Sequence, residues 1–270
     1  MKRFLVLMLA LALFVPAAAK ADTLMMATTT STDNTGLLDY LAPMFQEATG
    51  VELQWTAVGT GKALELGRNC DVSVLLVHAP SAELQYVEDG HGVDRRLVMY
   101  NDFVIIGPAD DPAGVAGMSV ADALKTIAEQ QAVFCSRGDD SGTHKKEKSL
   151  WGAAGLEVPD TADWYLQTGQ GMIDTINVAA EKGGYTMTDR GTYIKYEDSK
   201  GGEPPLVVLV EGDETLFNQY SVLTINPEQC DNVTYDLAQT FADWITSEAA
   251  QQAIADFRLL GKQLFTPNAE

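Results

Sequence analysis

The run Val72 to Val77, V-S-V-L-L-V, is apolar on both faces. A strand of that kind is stable inside a sheet covered by helices on both sides, the setting of parallel sheets in α/β proteins. What precedes it agrees. Thr23 to Ala27 reads as a short strand, after which Leu37, Leu38, Leu41, Met44 and Phe45 recur at helical spacing up to a stop at Thr49-Gly50. Val51 to Val58 alternates as a strand, and Gly59-Thr60-Gly61 turns the chain into a short helix ending near Gly67. Pro80 to Glu88 reads as a helix with proline in its first turn. The order β-α-β-α-β calls for a parallel sheet wrapped by helices.

A second set of elements follows. Strands are expected at Asp102 to Gly107, Ala132 to Cys135, Leu206 to Val210 and Tyr220 to Ile225. Helices are expected at Val120 to Gln130, from Thr143 through Trp151, at Met172 to Glu181, and as one long stretch from Tyr235 to Asp256. No repeat or low-complexity linker separates the halves. The expected architecture is a two-lobed α/β body whose chain crosses between lobes twice, near Tyr100–Val104 and Gln219–Leu223. That gives lobe one as 20–102 and 221–270, and lobe two as 103–220.

With 38 Asp and Glu against 18 Lys and Arg, the chain carries a formal charge of −20. Nucleic-acid and anionic-membrane surfaces are thereby excluded as partners, because phosphate neutralisation needs clustered cations. A local anion site is not excluded. Lys2 and Arg3 followed by the apolar run Phe4 to Val15, Pro16 and Ala17-Ala18-Ala19 read as a cleavable export signal over residues 1–19. The run is too short to span a bilayer, and no cysteine stands at the cleavage position to take a lipid. A soluble periplasmic protein without a membrane anchor is expected. Cys70, Cys135 and Cys230 allow three disulfide pairings with one thiol left over. These cysteines and His78, His91 and His144 are too scattered for a metal-cation site.

The loops carry the chemistry. Thr28-Thr29-Thr30-Ser31-Thr32 places five hydroxyls between a strand and a helix, where one would suffice as an N-cap. Ligands of open α/β sheets sit at such carboxyl-terminal strand ends, and helix N-termini there offer free N–H groups. Val58-Gly59-Thr60-Gly61-Lys62-Ala63 fails as a nucleotide loop. Thr56, Ala63 and Leu64 stand where the two phosphate-binding patterns need Gly, Ser or Thr, and Gly. It remains an amide-presenting turn. Ser136-Arg137-Gly138-Asp139-Asp140-Ser141-Gly142-Thr143 follows a strand and carries an arginine able to give an oxyanion two parallel hydrogen bonds, with Ser141 and Thr143 as further donors. Asp139 and Asp140 would repel an anion; capping the helix or holding Arg137 suits them better. In Thr186-Met187-Thr188-Asp189-Arg190-Gly191-Thr192, adjacent Asp189 and Arg190 point apart if extended. Ser141 lacks the G-x-S-x-G elbow, and no carboxylate pair is singled out for acid/base work. No catalytic residue is assigned.

Together these loops resemble the periplasmic tungstate-binding proteins of bacterial tungstate ABC importers, the Tup type. The matching stretches run in order along most of the chain: A-T-T-T-S-T (27–32), V-G-T-G-K-A-L (58–64), D-V-S-V-L-L-V-H-A-P (71–80), N-D-F-V-I-I-G-P (101–108), S-R-G-D-D-S-G-T-H (136–144), W-Y-L-Q-T-G-Q-G-M (164–172), T-M-T-D-R-G-T-Y (186–193) and N-Q-Y-S-V-L (218–223). Where this chain has Cys70, glycine is more usual in that family.

The resemblance implies a type II periplasmic binding protein: two α/β lobes, a two-crossing hinge and an oxyanion held in the cleft. Carried over motif by motif, Thr29, Thr30 and Ser31 come from lobe one, with Thr60 beside them. Arg137, Ser141 and Thr143 face them from lobe two, with Arg190 as a second cation. The implied ligand is tungstate, with molybdate close to it in size. The implied partner is an ABC permease that receives the ligand from a monomer, and no cofactor is implied. Other oxyanion receptors (sulfate, phosphate) and an exported enzyme on the same body are the competing readings.

Overall fold

The computed structural model describes residues 21–139 and 141–269; the export-signal reading of residues 1–19 and the expectation for Asp140 lie outside them. The first unit is β1 (Thr23–Thr29), α1 (Thr30–Asp33), α2 (Leu37–Thr49), β2 (Glu52–Val58), α3 (Thr60–Arg68), β3 (Val74–Val77) and α4 (Pro80–Glu88). β2, β1 and β3 pair in parallel in that order. Each helix stop has a local cause: α2 ends on Gly50 in the left-handed region at φ 74°, whose N–H returns to the Gln46 carbonyl. Along β3, Val74 and Leu76 pack with α2 and the C-terminal helices, whereas Leu75 and Val77 pack with α3 and α4. Both faces are therefore covered, as the V-S-V-L-L-V run requires.

β4 (Gly92–Pro108) is far longer than the strand expected from Asp102. Its first half, V-D-R-R, lacks the apolar alternation that would have marked it, because Arg95 and Arg96 find carboxylates at Glu83, Asp94 and Asp243 instead of solvent. Beyond it lie α5 (Val120–Gln130), β5 (Phe134–Ser136), α6 (Gly142–Ala153), β6 (Tyr165–Gln167), α7 (Met172–Lys182), β7 (Tyr185–Asp189), α8 (Arg190–Ser199) and β8 (Leu206–Val210). β9 (Phe217–Ile225) returns to the first unit, followed by α9 (Tyr235–Ile245) and α10 (Glu248–Asp256). The single helix expected over 235–256 is thus two, divided at Ser247, whose hydroxyl caps α10 by accepting from the Ala250 amide. Three two-residue strands close the chain: β10 (Arg258–Leu259), β11 (Lys262–Gln263) and β12 (Thr266–Pro267).

Ten of these strands share one sheet, ordered β2-β1-β3-β9-β4-β7-β5-β6, with β8 and β12 also on β4. β4 changes partners in mid-course. Its pairing with β9 ends at Asp102↔Phe217, and its pairing with β7 begins at Phe103↔Asp189. The cores divide at the same point. Val98 and Met99 join Leu24, Phe45 and Phe241 on one side, and Phe103 and Ile105 join Phe134 and Trp151 on the other. This is a two-lobed α/β architecture of the kind expected from the sequence.

Of the three possible disulfides, the chain forms Cys70–Cys230; Cys135 is a buried free thiol. Cys70 sits at φ 62°, a left-handed conformation that costs an L residue with a Cβ about 1–2 kcal/mol. Glycine takes it freely, so a family preference for Gly here has a conformational basis, and the crosslink holds the cysteine in its place. Replacing both cysteines should lower unfolding free energy by about 2–4 kcal/mol in urea titrations, since the bond closes a sequence separation of 160 residues. The Cys70→Gly/Cys230→Ala pair should retain about 1 kcal/mol more than Cys70→Ala/Cys230→Ala.

Candidate functional site

Parallel pairing sets the site. β1, β2 and β3 end together at Thr29, Val58 and Val77; β5 and β6 end together at Ser136 and Gln167, and parallel β7 runs past them to Asp189. Both sets reach the partner change in β4. His78, just past β3, bonds Asn218 of β9, which bonds Asn101 of β4; Asp189, at the end of β7, pairs with Phe103. The two families of loops therefore converge on the same few residues of β4 and β9. One further contact crosses there, Lys195 of α8 donating to the Asn34 carbonyl at 2.6 Å, and Lys146 of α6 donates to the Phe217 carbonyl of β9 at 3.5 Å.

Within the first loop the five hydroxyls divide their tasks. Thr28 Oγ1 donates to the Leu76 carbonyl at 2.8 Å and is consumed in fastening β1 to β3. Thr32 is fully buried, with Oγ1 2.6 Å from Thr29 Oγ1. Thr29 caps α1, accepting from the Thr32 amide, while Thr30 and Ser31 are exposed at the loop surface. Trp55 Nε1 donates to Asp33 at 2.7 Å and pins the loop to β2. Thr60, first residue of α3, lies beside them because Thr29 pairs with Val58.

His78 is a participant that reading by motif missed. Nε2 is 3.0 Å from Thr29 Oγ1 and 3.1 Å from Ser31 Oγ, and Nδ1 is 2.9 Å from Asn218 Oδ1. The ring stacks on Tyr220 with centroids 4.7 Å apart. Asn218 Nδ2 donates to Asn101 Oδ1 at 2.8 Å and to Tyr220 Oη at 3.3 Å, which leaves Oδ1 as the acceptor for the Nδ1 hydrogen. Burial lowers the imidazole pKa from its usual value, opposed by the Asn218 bond and the Asp189 charge. The signal for it was positional: H-A-P follows a parallel strand, where ligands of such sheets bind.

In the second loop Arg137 Nη2 donates to Asp139 Oδ2 at 2.5 Å, and Asp139 Oδ1 accepts from the Ser141 amide at 3.2 Å. Asp139 thus holds the arginine, one of the two tasks foreseen for it. Arg137 Nε is buried and has no hydrogen-bond partner among the described residues. Ser141 caps α6 by accepting from the His144 amide, and half-buried Thr143 stands in the first turn. The loop is braced from behind. The Gly169 amide donates to the Arg137 carbonyl, and Ser136 Oγ donates at 2.7 Å to buried Glu147, which also accepts from Trp151 and Tyr165. Gly138 sits at φ 60°, and a Cβ on it would lie 2.7 Å from Gln167 Cβ, so glycine is required twice over.

Arg190 departs from its expected place. Asp189 ends β7 and caps α8, accepting from the Thr192 amide at 2.9 Å and hydroxyl at 2.6 Å, so Arg190 begins a helix and is not in an extended segment. Its guanidinium donates to Asp102 at 2.5 and 2.6 Å and to Glu211 at 2.7 Å. Those bonds raise its pKa further, and they commit the cation to joining α8 to β4 at the partner change. Arg190 thus positions α8 against β4, and its cation is already shared with two carboxylates.

Comparisons with known proteins bear on this geometry. A family model described as a PBP superfamily domain matches residues 16–249. The tungstate-binding protein TupA of Campylobacter jejuni is 50% identical over 240 residues, 89% of each chain. TupA of Peptoclostridium acidaminophilum is 44% identical, covering all of this chain and 99% of its own. Among solved structures, the tungstate-binding protein TupA from Desulfovibrio alaskensis G20 is 66% identical with a TM-score of 0.91, covering 93% of this chain and 100% of that one. Arg190→Ala should lower stability by about 2–3 kcal/mol in denaturant titrations, because it leaves Asp102 and Glu211 without their cation. Its effect on oxyanion affinity, read by calorimetry, should be far smaller than that of Arg137→Ala.

Proposed function

This chain belongs to the periplasmic binding protein superfamily and within it to the Tup-type tungstate-binding proteins, and from that premise we propose how its loops hold the ligand. It is a periplasmic receptor that captures tungstate for import by an ABC permease. In this reading Thr29, Thr30, Ser31 and Thr60 donate from lobe one, and Arg137, Ser141 and Thr143 donate from lobe two, with Arg190, tied to Asp102 and Glu211, as the second and weaker cation. The hinge is the passage of β4 and β9 between lobes, with lobe one as 20–102 and 221–270 and lobe two as 103–220. The receptor works as a monomer without catalysis, it takes molybdate as well, and residues 1–19 direct its export.

The observation that carries the assignment is Arg137. A buried guanidinium N–H without a partner is costly, by about 1–3 kcal/mol, unless a ligand accepts from it. Its own loop adds the hydroxyls of Ser141 and Thr143 and the first-turn amides of α6, which give hydrogens and need no charge. Tungstate is a dianion with no proton at neutral pH, so a cage of donors satisfies every oxygen. Hydrogenphosphate must also donate, and a donor-only cage leaves its O–H unpaired. Sulfate shares the donor-only demand but is smaller, and a cavity fitted to the larger ion leaves some donors out of its reach.

A thermal-shift panel of tungstate, molybdate, sulfate and phosphate tests the reading. Tungstate at a hundred times its Kd should add about 2.7 kcal/mol, and sulfate and phosphate at the same concentration nothing measurable. A larger shift with either of the latter would overturn it. Arg137→Ala should cost at least ~2 kcal/mol of tungstate binding by calorimetry. Arg137→Lys should also weaken binding although charge is kept, because the planar two-donor geometry is lost.

A further inference from the structure

We propose that capture of the oxyanion is coupled to uptake of one proton by His78, which converts the first loop from a mixed donor and acceptor into a donor-only surface. The inference rests on the assignment of Thr29 and Ser31 to the ligand cage. Its basis is a count of hydrogens. Asn218 fixes the Nδ1–H tautomer, so in the neutral ring Nε2 is a bare lone pair, 3.0 Å from Thr29 Oγ1 and 3.1 Å from Ser31 Oγ. One of those hydroxyls must turn its hydrogen to the imidazole and shows the ligand only lone pairs. A dianion repels such an oxygen. With a proton from solvent on Nε2, the ring becomes a donor to the hydroxyls, and the one hydroxyl hydrogen that had been turned to the imidazole is released.

Charge balance points the same way. Arg137 is paired with Asp139, and Arg190 with Asp102 and Glu211, so each arginine already faces carboxylate. Of the side chains bonded to Thr29 and Ser31, His78 is the one that can gain positive charge. The titratable or charged groups that face its ring among the described residues are Tyr220 of β9, stacked on it, and Asp189 at the end of β7; β1 and α1 bring hydroxyls. Burial keeps the ring neutral before the anion arrives, and Asp189 and the Asn218 bond already favour the charged form. A dianion one hydroxyl away adds to that side of the balance. The linkage sign follows: the proton is bound more tightly in the complex, so affinity must rise as pH falls from the pKa of the complex toward that of the free protein, by at most tenfold per pH unit.

The test is calorimetric titration of tungstate into the full mature protein from about pH 6 to about pH 8.5, in pairs of buffers with different ionisation heats. Wild type should tighten on acidification and report net uptake of up to one proton. His78→Gln, whose amide offers a neutral N–H donor to the same hydroxyls, should give a flat profile with no uptake. His78→Phe, which offers none, should bind more weakly throughout. A flat wild-type profile, or a slope that persists in His78→Gln, overturns the coupling while leaving tungstate capture intact; no tungstate heat in wild type at any pH overturns both. Should the variants fail to fold, NMR titration of the wild-type ring, assigned through its contact with Tyr220, decides instead. Its pKa must rise when tungstate is added, and an unmoved pKa overturns the proposal.

Discussion

The partner change in β4 is the constraint on which the site depends. One continuous strand joins the two halves of the sheet, paired with β9 through Asp102 and with β7 from Phe103. Because the flanking strands in each lobe are parallel, each lobe can present its loops at one end only, and the pairing sends both ends to that junction. The bonds Asn218–Asn101 and Arg190–Asp102 lie at the same place, so the residues that join the lobes are neighbours of those that face the cleft. Lobes built on separate strands with a flexible linker would have no such registry. Here backbone hydrogen bonding supplies it, and the side chains refine it.

Much of this was readable from the chain, and the failures have physical reasons. The V-S-V-L-L-V run announced β3, and the bounds of α4, α5 and β8 match the structure, since Pro80, Val120–Gln130 and Leu206–Val210 carry strong local signals. β4 was halved because Arg95 and Arg96 pair with Glu83 of α4, Asp94 and Asp243 of α9, and composition reads such a charged run as solvent-facing. The division of α9 from α10 rested on Ser247, an N-cap with no glycine or proline to mark the break. In the site, the hydroxyl and arginine loops stood out by excess over structural need. His78 did not, because a single histidine has no excess, and its role exists only through Asn218, 140 residues away. The partners of Arg190 were hidden for a similar reason, because Asp102 and Glu211 come from distant parts of the chain and sequence adjacency to Asp189 said nothing of them.

An anion receptor with a formal charge of −20 needs an account of its carboxylates. Those at surface distances are screened beyond about 8 Å at physiological salt, and act weakly on a bound ion. Those close to the loops matter more, and among the described residues three are tied. Asp139 accepts from Arg137 and the Ser141 amide, Asp189 from the Thr192 amide and hydroxyl, and Asp102 from Arg190. A carboxylate so engaged keeps its charge but commits lone pairs to these donors. Its repulsion of a ligand is offset by the dipoles and cations it orients. Discrimination by protonation state therefore requires that acceptors be sequestered as well as that donors be supplied. Of the groups lining the first loop, the imidazole of His78 is the one whose acceptor can be cancelled by a proton and not only by a neighbouring donor.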